Sequence, residues 1–389
     1  MGNQRTIFSQ LLEYAPRKEF SRCVERHKGN HNVRSFSCWD QFVCMVFAQL
    51  TNRESLRDIE ICLRGMGGKL YRCGLRGNVS RSTLADSNDK RSSQIYRDYC
   101  KVLIARAQKL YRTEASFNEL VKFAYALDSS WIKLCLELCP WARFGNHSSG
   151  LIKLHALLDL RGSIPAFVSV SPANINDFLT LDTIPFPPGS FVAMDKGYFD
   201  LGRLAKLSNR NVYFVIRKKK HVSVRVVSQN VVDESMKGVV SDKIVRFRGR
   251  FAKQKYPEQI RLIRFRDDKN NKVFLFLTNN FVLPALVVCD LYKHRWKIEL
   301  FFRWIKQHLR VTNFFGTSLN AVETQIWIAT SAYLLVAIAK KKLGIKQPLY
   351  QMIQLFGVSI FEEIPILQAL SDNPSPIQDA NLNNQLKLF

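Results

Sequence analysis

Apolar residues recur at helical spacing through the first 115 residues, and polar breaks separate the runs. CWDQFVCMVFAQL and SLRDIEICL show this pattern clearly. In the second run Ser55 stands three residues before Asp58, which is the spacing of a helix N-cap and the residue it caps. The pattern predicts a helical N-terminal domain over residues 1–115.

From Val121 onward the apolar runs become short, and most are typical of buried strands. Such alternation of strands with short helices predicts a mixed α/β domain over residues 116–345. The predicted strands are FAYALDSSWIKL, LIKLHALLDL, IPAFVSV, FVAMDKGYF, NVYFVIR and KVFLFLT, with a helix at LGRLAKL. The apolar run Ile326 to Ala339 is too short to cross a bilayer easily and predicts a buried helix. Residues 346–389 are predicted to form a C-terminal helical segment and a polar tail, frayed from Asp372 onward.

Residues 217–272 interrupt this domain with a different pattern, in which apolar and basic residues alternate with a period of two. This alternation predicts a β-rich insertion, and its usual meaning is an antiparallel sheet with one solvated face. The segment has 17 Lys or Arg against 6 Asp or Glu. Because of that excess, DNA contact stays an open alternative to a merely solvated face.

The whole chain is strongly basic, with 58 Lys plus Arg against 32 Asp plus Glu and a formal charge of +26 over 389 residues. Such a charge favours a polyanionic partner, nucleic acid before an anionic membrane surface. The nine cysteines show no paired CxxC spacing, so a disulfide framework and a four-ligand zinc site are both poorly supported. The first residues lack the apolar core of a secretory signal. We therefore expect a cytoplasmic, nucleoid-associated protein without a membrane partner.

The segment LYKHRWKIELFFRWIK combines a core-like apolar pattern with a single acid, Glu299. On one continuous helix Tyr292, Arg295, Glu299 and Lys306 fall within an arc of about 60°. A solvated charged stripe would explain this face equally well. A metal-dependent phosphoryl-transfer site would explain it more specifically, since hard cations such as Mg²⁺ bind carboxylate oxygens and nearby cations bind phosphate.

Partner carboxylates for Glu299 are expected on strands that reach the same place. Asp128 in YALDSSW and Asp195 in VAMDKGYF each end an apolar run, where aspartate is disfavoured by strand propensity. Alternatively, each aspartate caps the turn that follows its strand. Asp159, at the end of LIKLHALLDL, is a third candidate that spacing alone does not exclude.

The spacing Tyr292-(2)-Arg295-(3)-Glu299-(6)-Lys306 matches the Y-R-E-K signature of bacterial insertion-sequence DDE transposases of the insertion-sequence-four type. LDSSWIKL resembles the segment around that family's first catalytic aspartate, although Ser-Thr is commoner there than Ser-Ser. MDKGYFD resembles the D-R-G-Y segment around the second aspartate, with Lys196 in place of the usual arginine. The resemblance covers about residues 121–340.

This resemblance implies a ribonuclease-H-like catalytic core with an inserted mostly β domain and a helical N-terminal domain. It also implies that Asp128, Asp195 and Glu299 bind two Mg²⁺ ions, with Mn²⁺ as a substitute. Double-stranded DNA would be the partner, as terminal inverted repeats and as target, and a homodimer would form the synaptic complex. The predicted DNA contacts are Tyr292, Arg295, Lys306, Arg303 and Lys196.

The predicted function is therefore cleavage at the ends of an insertion sequence and strand transfer into target DNA. The alternative is a catalytically inactive DNA-binding protein that recognises or represses element ends. Basic charge does not separate the two, because both attract phosphate. A tyrosine recombinase is disfavoured, since no Arg and His cluster frames a late tyrosine.

Two further pairs of residues have alternative interpretations in the sequence. Lys153 and His155 alternate on a predicted strand and either approach DNA or, in the case of His155, lie satisfied within the fold. Trp296 and Trp304 either stack on bases or fill the core, and the core is the commoner role.

Overall fold

The first part of the chain is helical, as predicted. A computed structural model of the protein describes residues 5–75, 77–114, 119, 121, 123–233, 236–267, 271–308 and 314–371. The predicted frayed tail from Asp372 onward lies outside these residues. Within them, the helices before the first strand are α1 Ile7–Leu12, α2 Arg17–Arg26, α3 Cys38–Leu50, α4 Leu56–Gly65, α5 Lys69–Arg72, α6 Arg81–Lys90 and α7 Gln94–Tyr111.

Local capping explains where two of these helices begin. The Ser55 hydroxyl accepts a hydrogen bond from the Asp58 backbone N–H at 3.1 Å, as the sequence predicts for α4. Ser37 and Asp40 form a reciprocal capping box at the start of α3. These bonds satisfy backbone donors that the first helical turn leaves unpaired.

The middle of the chain forms one mixed sheet flanked by helices. Its strands are β1 Ala124–Leu134, β2 Gly150–Asp159, β3 Ile164–Pro172, β4 Phe191–Met194, β5 Tyr213–Arg217, β6 Val224–Asn230, β7 Val239–Phe247, β8 Ile260–Asp267 and β9 Lys272–Thr278. Among the described residues the strand order is β3-β2-β1-β4-β5-β9-β8-β7-β6. Strands β1, β2 and β3 are antiparallel neighbours, whereas β4 and β5 run parallel to β1. The mixed α/β class predicted from the sequence is confirmed.

The basic insertion extends this sheet. Strand β9 pairs with β5 on one side and with β8 on the other, so β8, β7 and β6 continue the hydrogen-bonded order outward. All of these pairings are antiparallel, which agrees with the period-two pattern. The insertion and the acid-bearing strands therefore share one sheet.

The remaining helices pack on the sheet or on the N-terminal helices. They are α8 Leu201–Asn209, α9 Arg250–Lys255, α10 Ala285–His294, α11 Trp296–His308, α12 Leu319–Lys342, α13 Leu349–Ser359 and α14 Ile366–Ser371. Helix α10 contacts β4, β5 and β7, and α11 contacts β1 and β2. Both helices thus lie against the strands that carry the candidate aspartates.

Helix α12 is the buried helix predicted from the run Ile326 to Ala339. It is long and apolar enough to cross a membrane, but 94% of its most apolar 18-residue window is buried inside the protein. It packs against α3, α6 and α7 from the first part of the chain and against β3 of the sheet. Burial on all sides explains why its sequence is apolar around the whole circumference. Helices on both sides of residue 115 share this core, and the domain boundaries themselves stay predictions.

The single helix assumed for Tyr292 to Lys306 is wrong. The chain turns at Arg295, between α10 and α11. Around it the backbone bonds tighten to a spacing of three, from Arg295 N to Tyr292 O at 3.1 Å and from Ile298 N to Arg295 O at 3.0 Å. This turn interrupts the α-helical hydrogen bonding, while the Arg295 backbone keeps αR dihedral angles. The 60° arc assumed one uninterrupted helix, so it applies only to Glu299 and Lys306, which share α11.

Candidate active site

Asp128 and Asp195 leave the sheet side by side. Asp128 lies within β1, and Asp195 follows the last residue of the parallel strand β4. The register pairs Leu127 with Met194, so the two aspartates occupy the next position of neighbouring strands. Neighbouring strands lie about 4.8 Å apart. Both aspartates therefore reach the same place although 67 residues separate them along the chain.

Glu299 comes to the same place from α11, which packs across β1. The connection is Arg295, whose guanidinium donates to the Asp128 carboxylate (Nη1 to Oδ2, 2.5 Å) and to the Glu299 carboxylate (Nη2 to Oε1, 2.7 Å). The Glu299 side chain is 54% exposed, whereas those of Asp128 and Arg295 are 19% and 11% exposed. Glu299 is thus the carboxylate with most freedom to reorient.

The three carboxylates influence one another's charge. Burial raises the pKa of Asp128, against the opposing effects of Arg295 and the Ser129 backbone N–H, and the Asp195 and Glu299 carboxylates add to the rise. Burial by itself lowers the pKa of Arg295, but the surrounding acids outweigh it and raise that pKa above its usual range. One guanidinium therefore faces three carboxylates, an environment that favours an additional cation.

Two buried donors beside these carboxylates have no hydrogen-bond partner among the described residues. They are the Tyr292 hydroxyl and the Arg295 Nε. Tyr292 is only 5% exposed, and the Arg295 guanidinium lies over its ring at 5.6 Å. Buried polar atoms are nearly always paired, so an unpaired pair of donors at one place points to a ligand or ordered water there.

The other predicted DNA contacts lie around this group. Arg303 and Lys306 follow Glu299 by four and seven residues on α11, which places all three within roughly 60° of one helix face. Burial lowers the pKa of Lys306. Lys196 is exposed and directly follows Asp195. The side chains of these cations form no hydrogen bond or ion pair with another residue in the described part of the chain.

Asp177 also lies beside this site, although the sequence did not indicate it as a candidate. Its carboxylate accepts hydrogen bonds from the Ser129 hydroxyl at 2.9 Å and from Lys153 Nζ at 3.1 Å. Asp177 begins a short 3₁₀ helix, Asp177–Asp182, that follows β3. Its position next to Asp128 depends on that connection, and no periodicity in the sequence indicates it.

The structure shows the contacts of three residues for which the sequence allowed alternative roles. His155 is 1% exposed and bonds to the Ser171 and Thr180 hydroxyls, so it is a satisfied structural histidine. Asp159 pairs with Tyr125 in the register, three positions from Asp128, and its carboxylate binds Arg161 instead. Trp304 is 8% exposed and packs edge-on against Tyr333, which is the predicted core role.

The donor chemistry at this place fits a divalent metal ion. Carboxylate oxygens are the ligands that Mg²⁺ prefers, and the Asp195 carboxylate forms no hydrogen bond or ion pair with another described residue. Over the described residues, no three Asp, Glu, His or Cys side chains are grouped to hold a metal ion as they stand. The Arg295 guanidinium occupies the space between Asp128 and Glu299. A metal ion could therefore bind between these carboxylates only if Arg295 breaks its hydrogen bond to Asp128 or to Glu299.

Two protein-family models match the chain. The model of the transposase DDE domain matches residues 123–335, more than half of the chain, from just before β1 into α12. A domain of unknown function, DUF4372, matches residues 3–76 in the helical part. The chain therefore belongs to the DDE transposase family. It is a DNA transposase, and members of this family depend on divalent metal ions.

Two curated relatives are named as putative or probable transposases. The chain is 30% identical over 301 residues to a putative transposase, y4zB, of Sinorhizobium fredii, covering 77% of this chain and 82% of that protein. It is 28% identical over 236 residues to a probable transposase for insertion sequence element IS5377 of Geobacillus stearothermophilus, covering 60% of each chain.

A solved structure shares a weaker likeness. The cryo-EM structure of a piggyBac transposase synaptic complex with hairpin DNA aligns with a TM-score of 0.46 and 9% identity, covering 97% of this chain and 82% of that one. At this TM-score the likeness supports no conclusion about this chain.

Proposed function

We propose that this transposase cuts DNA at the ends of its insertion sequence and joins the freed ends to target DNA, using Asp128, Asp195 and Glu299 to bind two Mg²⁺ ions. This is the cut-and-paste activity of an insertion-sequence-four-type enzyme with a ribonuclease-H-like core. One observation carries the proposal. Carboxylates from β1, the end of β4 and α11 converge at one place, where Arg295 bonds two of them and the third has no described partner.

The roles of the three acids follow from their environments. Asp128 and Asp195 stand on adjacent strands of a packed sheet, so they would provide the fixed part of a metal site. Glu299 is the more exposed ligand on a separate helix and would complete the site as DNA binds. When bound, a pair of divalent cations supplies Lewis-acid stabilisation of the attacking and leaving oxygens of a phosphodiester.

The surrounding side chains would bind and orient the DNA backbone. Arg295 is the best placed, because its guanidinium already lies between two carboxylates and presents an unpaired Nε. On release from one carboxylate it can donate two parallel hydrogen bonds to a phosphate. The Tyr292 hydroxyl beside it would donate to the same group. Arg303, Lys306 and Lys196 would extend the contact along the strand by neutralising neighbouring phosphates.

The proposed partners are double-stranded terminal inverted repeats and target DNA, bound by a homodimer that pairs two ends in a synaptic complex. The charge of +26 supports a DNA partner of this kind. Mn²⁺ should substitute for Mg²⁺, since both are hard enough for a carboxylate site. A cytoplasmic, nucleoid-associated location goes with this proposal.

The test is an end-cleavage assay with the purified full chain on DNA that carries an end of its own element. We expect strand cleavage that requires Mg²⁺ or Mn²⁺, that chelation abolishes, and that Glu299→Gln abolishes while end binding persists. The Glu323→Gln variant on α12 is the matched control and should cleave normally. End binding without metal-dependent cleavage in the wild type would contradict the proposal and favour a catalytically inactive DNA-binding protein.

A further inference from the structure

Asp177 contacts the segments that follow both candidate metal-binding aspartates. It begins the 3₁₀ helix Asp177–Asp182, and its side chain is 25% exposed. One carboxylate oxygen faces Ser129, the residue after Asp128, and the other faces Gly197, two residues after Asp195. Asp177 is thus the described carboxylate that bridges the two strand ends from outside the sheet.

The contact on the Asp128 side consists of two hydrogen bonds in series. The Ser129 hydroxyl donates to Asp177 Oδ1 at 2.9 Å. The Ser129 backbone N–H donates to Asp128 Oδ1 at 2.8 Å. Because Ser129 takes part in both bonds, Asp177 is linked through it to one oxygen of the Asp128 carboxylate.

The contact on the Asp195 side is a close approach to a glycine. A Cβ atom at Gly197 would lie 3.2 Å from Asp177 Oδ2, closer than side chains normally pack. Glycine therefore permits the carboxylate to rest against this backbone. Asp177 thus packs against the segment that follows Asp195 as well as bonding the residue that follows Asp128.

Lys153 fixes Asp177 in turn. Its ammonium group is buried, donates to Asp177 Oδ1 at 3.1 Å and to the Ile175 carbonyl at 2.7 Å, and lies 5.0 Å from the centre of the Trp131 ring. A buried charge is stable only when it is paired and hydrogen-bonded, so Lys153 and Asp177 hold each other in place. Asp177 Oδ1 accepts hydrogen bonds from both Ser129 and Lys153, so this oxygen has a structural role.

A buried hydroxyl completes this arrangement. Tyr198 is 1% exposed, and its hydroxyl has no hydrogen-bond partner among the described residues. Burial raises the pKa of Tyr198, and the charges of Asp128, Asp177 and Asp195 raise it further. Asp177 therefore acts on the same buried hydroxyl as the two proposed ligands Asp128 and Asp195.

We propose that Asp177, with Lys153 as its counter-ion, is a positioning residue that orients the Asp128 carboxylate relative to Asp195 and thereby selects Mg²⁺ over larger cations. This inference rests on the proposed metal-binding role of those two aspartates. Mg²⁺ demands near-ideal octahedral geometry, whereas Ca²⁺ accepts irregular and flexible coordination. Loosening the aspartates should therefore weaken Mg²⁺ binding more than Ca²⁺ binding.

Two variants of the full chain test the role. Ser129→Ala removes the hydroxyl link but keeps the backbone N–H that bonds Asp128. The double variant Asp177→Ala with Lys153→Met removes both charges, so no unpaired charge stays buried. Ser171→Ala is the matched control, because it removes a serine hydroxyl that bonds His155 on the neighbouring strand pair. Binding of Mg²⁺ and of Ca²⁺ is measured by calorimetry, with melting temperature and end binding measured alongside.

We expect Mg²⁺ affinity to fall about tenfold or more in both test variants, as for outer residues that orient metal ligands. Ca²⁺ affinity should fall clearly less, end binding should be unchanged, and the control should resemble wild type. Unchanged Mg²⁺ affinity in Ser129→Ala, or equal losses for both cations, would overturn the positioning role. A wild type that binds no divalent cation and cleaves no ends would instead overturn the proposed function itself.

Discussion

Two arginine–carboxylate groups in different parts of the sheet differ in how many of their hydrogen-bonding atoms have partners. In the insertion, Arg261 on β8 binds Asp242 on β7 through two parallel bonds, Nε to Oδ1 at 2.9 Å and Nη2 to Oδ2 at 2.7 Å. Its Nη1 donates to the Leu283 carbonyl at 2.5 Å. Both side chains are almost fully buried, at 5% and 6% exposure. This is a closed pair.

Arg295 is an open counterpart. It divides its donors between Asp128 on the sheet and Glu299 on a helix, and its Nε has no described partner. The Glu299 side chain is half exposed, and Asp195 lies nearby without a described partner. A buried arginine is therefore structural where each of its donor nitrogens has a protein partner, as in Arg261. Where donors are left over between elements, the group can rearrange around a ligand.

Removing carboxylates from the open group should have the largest effect on function. We expect Asp128→Ala and Asp195→Ala each to reduce metal-dependent end cleavage below detection, because each removes a proposed metal ligand. End binding and melting temperature should stay close to wild type. Gel-based cleavage and binding assays on the same end DNA measure both. Full cleavage by either variant would remove that residue from the site.

Breaking the Arg261–Asp242 pair should instead destabilise the folded protein. Asp242→Ala leaves the Arg261 charge buried and unpaired, and we expect a loss of about 3–5 kcal/mol in the free energy of unfolding. Chemical denaturation measures it. The double variant Asp242→Leu with Arg261→Met removes both charges and should recover most of that loss. If Asp242→Ala were as stable as wild type, the pair would not be the structural contact described.

Substituting the arginine should change Mg²⁺ affinity in the Arg295 group but not in the Arg261 group. Arg295→Gln removes a positive charge that competes with a cation between Asp128 and Glu299, so Mg²⁺ should bind the DNA-free protein about tenfold or more tightly. Cleavage should nevertheless fall, because a phosphate contact is lost. Calorimetry with Mg²⁺ checks the first effect. Asp242→Leu with Arg261→Met is the matched control and should leave Mg²⁺ affinity unchanged, and weaker binding by Arg295→Gln would contradict the competition.

The smallest expected effects concern the cations farther along α11. Lys306→Ala and Arg303→Ala should each weaken DNA binding across sequences and lower the slope of log affinity against log salt concentration by about one unit. Fluorescence anisotropy at several salt concentrations measures the slope. An unchanged slope would assign these side chains to structure and leave Arg295 as the arginine that contacts phosphate.

The sequence predicts local features of this molecule better than relations between distant segments. The Ser55 cap, the strands and the buried α12 follow from patterns within a few residues. Asp128 and Asp195 were found because acids at the ends of apolar runs require a reason. The insertion's pairing with β9 was not predicted, because strand partners are set by contacts far apart in sequence.

The side-chain partners at the candidate site could not be predicted from the sequence either. The turn at Arg295 depends on where β1 places Asp128, which a helical wheel does not contain. Asp177 resembles any aspartate in a loop until the fold brings it to Ser129. Arg261 looks like one more basic residue in an alternating strand, yet it is buried against Asp242. Each case depends on tertiary contact.

The most direct test of the account is a crystal structure of the protein with Mn²⁺ and its end DNA, recorded with anomalous scattering. We predict anomalous peaks within coordination distance of Asp128 and Asp195 oxygens, with Glu299 completing the site and Arg295 moved onto a DNA phosphate. Peaks elsewhere, or Arg295 still joined to both Asp128 and Glu299 in an active complex, would contradict it.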